Sequence, residues 1–365
     1  MSLVELMVGM LIGLIGIIII THVYVTNEEH KRRTSAVGGA QSNGAIALLA
    51  IERDLRMASF GLNHRSAFAC NCDQILNPGC SHIQYYYDGV YSFPPHASST
   101  GARNSIALYP VVITDVAGQP DTLSIFYGSD NERILGSGLQ YEMGNPGGDI
   151  KIDGTAGFEA GNLVVLQRGA ICSMVRVTQV LPDALKHAAT NLWNPPGGGT
   201  LPGAVFTAGS TLFNLGSAPN WRGYGIQNGK LQLTDQFRVL TEGAVSEDVM
   251  DGIVDLQAQY GKDTTNDGVV DVWTKCVSAT CGTNHSESDW IGIIAVRVAV
   301  LARSEQWIKP STAGGACEAT ITTNQPMWTG GTFPSLQVAG VLPSCYKYRV
   351  FETVVPLRNM IWRQG

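Results

Sequence analysis

Residues 1–16 read MSLVELMVGMLIGLIG and open the apolar stretch that decides how the chain is organised. From Leu6 to Ile20 the side chains are only Leu, Ile, Met, Val and Gly. With residues 21–25 the stretch reaches about 20 residues, or roughly 30 Å of helix, which is the thickness of a bilayer core. Glu5 stands at its start, and a carboxylate carried to the bilayer centre costs on the order of 2.5 to 3.5 kcal/mol. The sequence therefore predicts a membrane-spanning helix in which Glu5 has a partner and a role.

The flanks of this stretch distinguish a retained anchor from a cleaved secretory signal. A signal peptide has basic residues first, then about 7 to 15 apolar residues and a cleavage site with small residues. No Lys or Arg precedes the apolar stretch, which passes into Glu28, Glu29 and the basic triplet at 31–33. We therefore expect the segment to be retained. By the positive-inside rule alone, the basic triplet would place that end of the helix in the cytoplasm.

Composition limits the remaining possibilities. The 365 residues include 42 glycines, only 15% are charged, and the net charge is −6. A low charged fraction and many glycines favour strands and turns over a helical bundle. Because nucleic-acid-binding proteins usually carry a basic face, we expect no nucleic-acid partner.

Periodicity predicts that the helix continues to about residue 59 and has one buried face. Its apolar positions recur every three or four residues, at Val37, Ala40, Gly44, Leu48, Ile51, Leu55 and Ala58. Gly38 and Gly39 each cost about 1 kcal/mol relative to alanine, which predicts a kink or local melting between these turns.

Short strands are predicted after the helix, at 105–114, 121–128, 162–167, 172–180, 236–240, 253–260, 269–274, 293–303 and 348–355. Segments rich in Gly, Pro and Ser are expected to be long connections, at 96–104, 144–161, 181–220 and 311–335. Within them, 182–220 is predicted to be a surface excursion or a small subdomain. The predicted fold class is α+β, with residues 1–60 as the long amino-terminal helix and 61–365 as an antiparallel β-rich domain.

The amino terminus resembles the mature amino terminus of type IV pilins and pseudopilins, where a peptidase removes a short basic leader and a glutamate stands at this position. The resemblance implies that Met1 is the processed, N-methylated terminus and that Glu5 pairs with the terminal amine of a neighbouring subunit. Methylation leaves that charge in place. Gly9 and Gly13 form a G-x-x-x-G pair that permits close helix approach, although such a pair can also provide flexibility alone. The alternative for the whole segment is an ordinary single-pass anchor with a tolerated acid.

Four internal segments narrow the resemblance to the PilW family of minor pilins. They read IERDLRMASFG, VDLQAQYGKDTTNDGVVDVW, IIAVRVAVLARSE and YKYRVFETVVPLRNMIW. The resemblance implies a low-copy subunit that helps to initiate and cap a type IV pilus with other minor pilins, the major pilin and a tip adhesin. It also implies a single span in the inner membrane with the domain in the periplasm, and later a place in the cell-surface pilus. The central Gly/Pro-rich region and the cysteines depart from the family, so no partner surface is carried over there.

The eight cysteines favour disulfides, because a pilin-like domain lies outside the cytoplasm and the count is even. Eight cysteines permit 105 pairings, so sequence alone leaves connectivity open. Proximity suggests Cys276 with Cys281 and Cys317 with Cys345. Two more bridges would then form among Cys70, Cys72, Cys80 and Cys172. The alternative is a zinc site from the cysteines at 70, 72 and 80 with His82, but its spacing differs from the usual separations.

Residues 263–271 resemble a calcium-binding loop. Hard oxygen ligands would come from Asp263, Thr265, Asp267, the carbonyl of Val269 and Asp271, with Gly268 at the sixth position. The twelfth position, where an EF-hand has a bidentate Glu, is Thr274 in this chain. The alternative is a hairpin turn in which Asp and Gly serve the backbone. Because of this ligand pattern, calcium is the single candidate cofactor of the chain.

No catalytic constellation is recognisable in the sequence, which lacks G-x-S-x-G, H-E-x-x-H and phosphate-binding glycine loops. His64, His82, His96 and His285 are expected to be solvated loop residues. We therefore expect an assembly function and no enzyme. Two rivals remain open, namely a minor pseudopilin of type II secretion and a membrane-anchored adhesin that uses residues 181–220 as its contact loop.

Overall fold

The architecture is described from a computed structural model of the chain. It describes residues 3–62, 83–86, 103–106, 109–129, 136–143, 148–168, 171–188, 193–194, 206–238, 246–276, 290, 292–307, 326–333 and 346–361. Residues 5, 29–30, 32–33, 83–86, 103–106 and 171–172 are described as backbone only.

Over the described residues, the named elements are one long helix, a series of short strands and one short helix near the end. The helices are α1 (Leu3–Met57) and α2 (Arg358–Ile361). The strands in the first half are β1 (Ile83–Tyr86), β2 (Arg103–Ile106), β3 (Val111–Thr114), β4 (Thr122–Tyr127), β5 (Ser137–Gly138), β6 (Ile150–Lys151), β7 (Leu163–Arg168), β8 (Ile171–Arg176), β9 (Gln179–Val180) and β10 (Ala184–Lys186). Those in the second half are β11 (Thr211–Gly216), β12 (Asn220–Gln227), β13 (Lys230–Asp235), β14 (Ser246–Asp251), β15 (Ile253–Lys262), β16 (Val272–Thr274), β17 (Ile293–Arg303), β18 (Met327–Trp328), β19 (Gly331–Thr332) and β20 (Tyr348–Pro356).

The described strands form mainly antiparallel sheets, as the α+β prediction expects. A six-stranded sheet has the order β2-β1-β8-β7-β11-β5, and within it β1 and β8 are parallel. A five-stranded sheet has the order β14-β13-β12-β4-β3, and a four-stranded sheet has the order β16-β15-β17-β20. Smaller sheets are β6-β10-β9 and the hairpin β18-β19. The largest core cluster lies between α1 and the five- and four-stranded sheets.

The second half of α1 packs on this core through the face that the sequence predicts. The buried residues recur at three- or four-residue intervals, and they are Ala40, Gly44, Ala47, Ile51, Leu55 and Ala58. The helix is continuous from Leu3 to Met57, so the local melting predicted at residues 38–39 is wrong. A cost of about 1 kcal/mol per glycine is too small to interrupt a helix that the sheet supports on one side.

Two contacts attach the second half of α1 to β20 and α2. Asn359, in α2, donates its side-chain amide to the carbonyls of Ala58 and Met57 at 3.0 and 3.4 Å, so carbonyls at the carboxyl end of α1 have a partner. Gly44 lies directly against the ring of Phe351 in β20, where a Cβ atom would overlap the ring. The close approach of helix and strand therefore depends on a glycine at position 44.

We expect alanine to have opposite effects at two glycines of α1. Gly44→Ala should destabilise the domain, because overpacking costs about 1–3 kcal/mol and outweighs the gain of about 1 kcal/mol in helix propensity. Gly38→Ala should stabilise it, because a Cβ atom there meets no atom within 4 Å. Thermal unfolding of the full chain in detergent measures both. An equal rise in melting temperature for the two variants would contradict the close contact with Phe351.

Several strand predictions are confirmed and others need correction. Strand β17 has the predicted bounds, and β4, β7, β15 and β20 lie within two residues of theirs. The strand predicted at 105–114 is wrong, because β2 and β3 belong to different sheets. The strand predicted at 236–240 is also wrong over its described residues, because 236–238 form a helical turn. The Asp235 carboxylate caps that turn by accepting the N–H groups of Phe237 and Arg238 at 3.0 and 3.2 Å.

The segment 181–220 is not a surface excursion over its described residues. It contains β10 and β11, and β11 pairs with β7 on one side and β5 on the other. Trp193, Phe206 and Phe213 are buried in two of the core clusters. A segment rich in Gly and Pro therefore contributes a strand and three buried aromatic side chains to the core.

Candidate functional site

The first half of α1 is exposed apolar surface. Leu6–Glu28 is long and apolar enough to cross a membrane by length and composition, and none of it is buried against the rest of the chain. A Cβ atom at Gly9 or Gly13 would meet nothing within 4 Å, so both glycines are open to a neighbouring helix. Met1 and the side chain of Glu5 lie outside the described residues, and their pairing role stays a prediction.

The packed half of α1 also carries exposed apolar side chains. Ile46, Leu49 and Met57 are 47%, 64% and 36% exposed. At about 100° per residue these three positions fall on one side of the helix, opposite the buried stripe. We call them the outer face of α1. Ile46 and Leu49 are one turn apart on this face, whereas the exposed Arg53 separates them from Met57. Neighbouring exposed apolar side chains mark an interaction site more often than scattered ones do.

A buried carboxylate fixes the packed half of α1 to the five-stranded sheet. Asp54 is 1% exposed and accepts hydrogen bonds from Tyr127 at 3.0 Å and Tyr224 at 2.6 Å. The Nη1 atom of Arg222 lies 3.1 Å from both carboxylate oxygens. We call these four residues the Asp54 network. Burial, together with the Asp54 charge, raises the pKa of both tyrosines above the usual range, so their hydroxyls remain donors.

The sequence contains a signal for this network that the periodicity argument did not use. Asp54 falls on the buried stripe of α1, between Ile51 and Leu55, where an acid needs partners. Arg222 and Tyr224 alternate along β12, so they point to the same face of the strand. An acid on an apolar helix face, together with an Arg and a Tyr at alternate strand positions, indicates a buried ion pair.

The loop at 263–271 joins β15 to β16, and its carboxylates bind backbone N–H groups. Asp263 accepts the N–H groups of Asn266 and Gly268 at 2.6 and 2.8 Å. Asp271 accepts those of Thr264 and Thr265 at 2.7 and 3.0 Å. This is the geometry of the hairpin-turn alternative, and Asn266 and Gly268 have the positive φ that such turns use.

A metal site is not assembled in the part of the chain that the structure describes, because no group of three His, Cys, Asp or Glu side chains comes together there. Calcium binding by Asp263, Thr265, Asp267, the Val269 carbonyl and Asp271 therefore stays a prediction that requires these oxygens to converge. The candidate zinc ligands Cys70, Cys72, Cys80 and His82 lie outside the described residues. The same holds for His64, His96 and His285.

If the loop binds calcium, the ion stabilises the folded state by mass action and raises the melting temperature relative to chelator. Asp267→Ala should abolish that rise. Glu247→Ala, at an exposed carboxylate of β14, should leave it unchanged. The measurement is thermal unfolding of each variant in calcium and in chelator. Identical melting temperatures for the unaltered chain in both conditions would show that the loop is a hairpin turn that binds no calcium.

Cys276 follows β16 and is disulfide-bonded. Its predicted partner Cys281 lies outside the described residues, as do Cys317 and Cys345. Cys172 lies in β8, but its side chain is not described. The proposed pairings therefore stay predictions.

The chain thus combines a helix whose apolar first half is exposed with a β-rich domain on the second half of that helix, as expected of a membrane-anchored subunit. Residues 224–359 match the family model of the Type IV Pilus-assembly protein W, and this match supports assignment of the chain to the PilW family. The match runs from β12 to α2 and includes the four-stranded sheet. A chain of this family has a role in type IV pilus assembly. Comparison with curated proteins and with solved structures gives no match.

Proposed function

We propose that the chain is a minor pilin that helps to initiate and cap type IV pilus assembly together with other minor pilins, the major pilin and a tip adhesin. The observation that carries the proposal is the exposed apolar surface along α1. It includes the whole of Leu6–Glu28 and continues on the packed half as Ile46, Leu49 and Met57. A single-pass anchor needs apolar surface only within the membrane, so the apolar side chains on the outer face of α1 support a further contact with a neighbouring subunit.

The two parts of this surface match two successive states of the subunit, first in the inner membrane and then in the filament. Before assembly, Leu6–Glu28 holds the subunit in the inner membrane with its domain in the periplasm. During assembly, the same helix leaves the lipid and packs against the helices of neighbouring pilins. The apolar span is then covered by protein, and Ile46, Leu49 and Met57 extend the contact beyond the membrane.

The attachment of α1 to the domain supports a mechanical role. The Asp54 network, the contact of Gly44 with Phe351 and the amide of Asn359 hold the helix at three positions along its length. A helix fixed in this way transmits its position in the filament to the domain. The domain is bulky, so it is easier to place at a filament end than at every position of a shaft. Assembly, with no catalytic step, is the proposed activity.

The experiment separates filament entry from folding. Leu49→Glu places a charge on the outer face of α1 at an exposed position, so the domain should fold while entry into pili falls. Glu5→Ala should likewise leave membrane insertion intact and impair entry. Val116→Glu is the matched control, because Val116 is 46% exposed in the turn between β3 and β4. Immunoblots of membranes and of sheared pili measure both quantities.

The proposal requires that both helix variants reach the membrane in normal amounts and are depleted from sheared pili, while Val116→Glu is not depleted. Normal incorporation of Leu49→Glu would exclude the outer face of α1 as an assembly contact. Normal incorporation of Glu5→Ala would exclude the pairing role of Glu5.

A further inference from the structure

The turn between β3 and β4 meets the four-stranded sheet at a fully buried acid, Asp121. Its N–H donates to the carbonyl of Leu256 at 2.8 Å, and its Oδ2 atom accepts the N–H of Ala258 at 2.8 Å. Asp121 is 0% exposed. The acid is therefore held by the backbone of β15 on two sides, in one orientation.

A lysine from the end of β16 completes the cluster. The Nζ atom of Lys275 lies 3.2 Å from Oδ1 of Asp121 and 2.9 Å from Oδ1 of Asp115. It also donates to the side-chain oxygen of Gln257 at 2.9 Å. An amine, a buried carboxyl group and a second carboxylate are thus in contact at one point, which we call the Lys275 cluster.

We propose that Lys275 and Asp121 condense to an isopeptide bond that covalently joins the β3–β4 turn to the segment after β16. The Nζ atom of Lys275 lies 3.2 Å from Oδ1 of Asp121, and that oxygen is bonded to the Cγ atom that the amine must attack. Only a short movement is therefore needed to bring Nζ and Cγ to the separation of about 3–3.5 Å at which reacting atoms meet. The two residues are far apart in sequence, so the bond would close a long loop of the chain.

The condensation balances without an added reagent. One ammonium proton of Lys275 passes to the Asp121 carboxylate, and the neutral amine attacks its Cγ atom. A C–N bond forms, and Asp115 accepts a second proton from the nitrogen. Asp115 then returns that proton to the departing hydroxyl group as the C–O bond breaks. The products are an amide N–H, one water molecule and the Asp115 carboxylate in its starting state.

Each neighbour of Asp121 favours a part of this step. The N–H of Ala258 points at the oxygen that carries negative charge in the tetrahedral intermediate. Gln257 orients the amine. Burial raises the pKa of Asp121 to about 7, in spite of the Ala258 N–H and Lys275, which lower it. The neutral, electrophilic form of the acid is therefore accessible near neutral pH.

The alternative is a simple ion pair, and the chain contains a matched control. Lys230 lies 2.8 Å from Asp248 and 3.0 Å from Asp251, so it has equally close carboxylates. Those side chains are 40%, 46% and 62% exposed. Water can solvate their charges and keep them ionised, so Lys230 should remain unlinked.

The test is peptide mass spectrometry of the full chain, purified from membranes in detergent. Reduction and alkylation precede digestion, because Cys276 is disulfide-bonded beside Lys275 and would otherwise hold peptides together. The expected product is a branched peptide that joins Lys275 to Asp121, with a mass lower than the sum of its parts by one water. Lys230 should be recovered unlinked from the same digest. Recovery of Lys275 and Asp121 only in separate peptides would overturn the proposal.

Two variants test the chemistry in chains that retain the fold. Lys275→Arg keeps the positive charge and should give no branched peptide. Asp115→Asn keeps both reacting groups but removes the proton acceptor, and it should slow linkage by roughly 100-fold or more. Asp115 is 36% exposed, so its loss should be tolerated. Circular dichroism checks folding, and unchanged linkage in folded Asp115→Asn would contradict the assigned step.

Discussion

Asp54→Ala is expected to lower the free energy of unfolding of the domain by about 3 kcal/mol, because it leaves two buried tyrosine hydroxyls and the partly buried guanidinium of Arg222 without their acceptor. Arg222 loses contacts of 3.1 Å to both carboxylate oxygens. Tyr224, which is 3% exposed, loses its hydrogen bond of 2.6 Å. Urea unfolding of the full chain in detergent, followed by tryptophan fluorescence, measures the change.

Glu52→Ala is the matched control for this prediction. Glu52 lies two residues before Asp54 in α1, and its carboxylate pairs with Arg56 on the exposed side of the helix. Exposed pairs of this kind contribute about 0.3–0.5 kcal/mol, so the control should unfold almost like the unaltered chain. Equal effects of Asp54→Ala and Glu52→Ala would show that the Asp54 network does not fix the helix to the sheet.

The long helix could be predicted from sequence because its signal is local. An apolar stretch of bilayer length and a repeat of three or four residues both depend only on spacing along the chain. The structure confirms one long helix with an exposed apolar first half and a buried stripe that includes Ile51 and Leu55, whereas membrane spanning stays a prediction. The effect of Gly38 and Gly39 was overestimated, because intrinsic propensity is weaker than support from the sheet.

The sheet of β12, β13 and β14 was missed, although one of its turns has a clear signal. Asn228 and Gly229 connect β12 to β13 with φ values of 53° and 73°, as expected for a two-residue hairpin turn. Strand β12 contains two glycines and β14 is rich in acids, so neither has the apolar alternation of a typical strand. The Asn-Gly pair therefore predicts this hairpin better than the apolar alternation of its strands does.

The candidate sites depend on contacts between residues distant in sequence, which periodicity does not report. The Asp54 network joins α1 to β4 and β12, and the Lys275 cluster joins the β3–β4 turn to the end of β16. The alternating side-chain oxygens at 263–271, which predict a calcium loop, could be recognised from sequence alone. Only the structure indicates that Asp263 and Asp271 bind backbone N–H groups there.

Deletion of the gene is expected to leave cells with almost no surface pili, because a subunit that starts filaments limits their number. Electron microscopy of the deletion strain measures this, and expression of the intact gene should restore the pili. Expression of the Glu5→Ala variant should restore few. Normal pili with a loss of secretion would favour a secretion pseudopilin, whereas normal pili with a loss of adhesion would favour a surface adhesin.

The number of copies in the filament tests the minor-pilin proposal most directly. A domain of this size, attached rigidly to α1, is awkward at every position of a shaft in which neighbouring helices pack closely. Quantitative mass spectrometry of purified pili should therefore find this chain far below the major pilin in abundance. An abundance close to that of the major pilin would contradict the proposal and would indicate that this chain is a main subunit of the filament shaft.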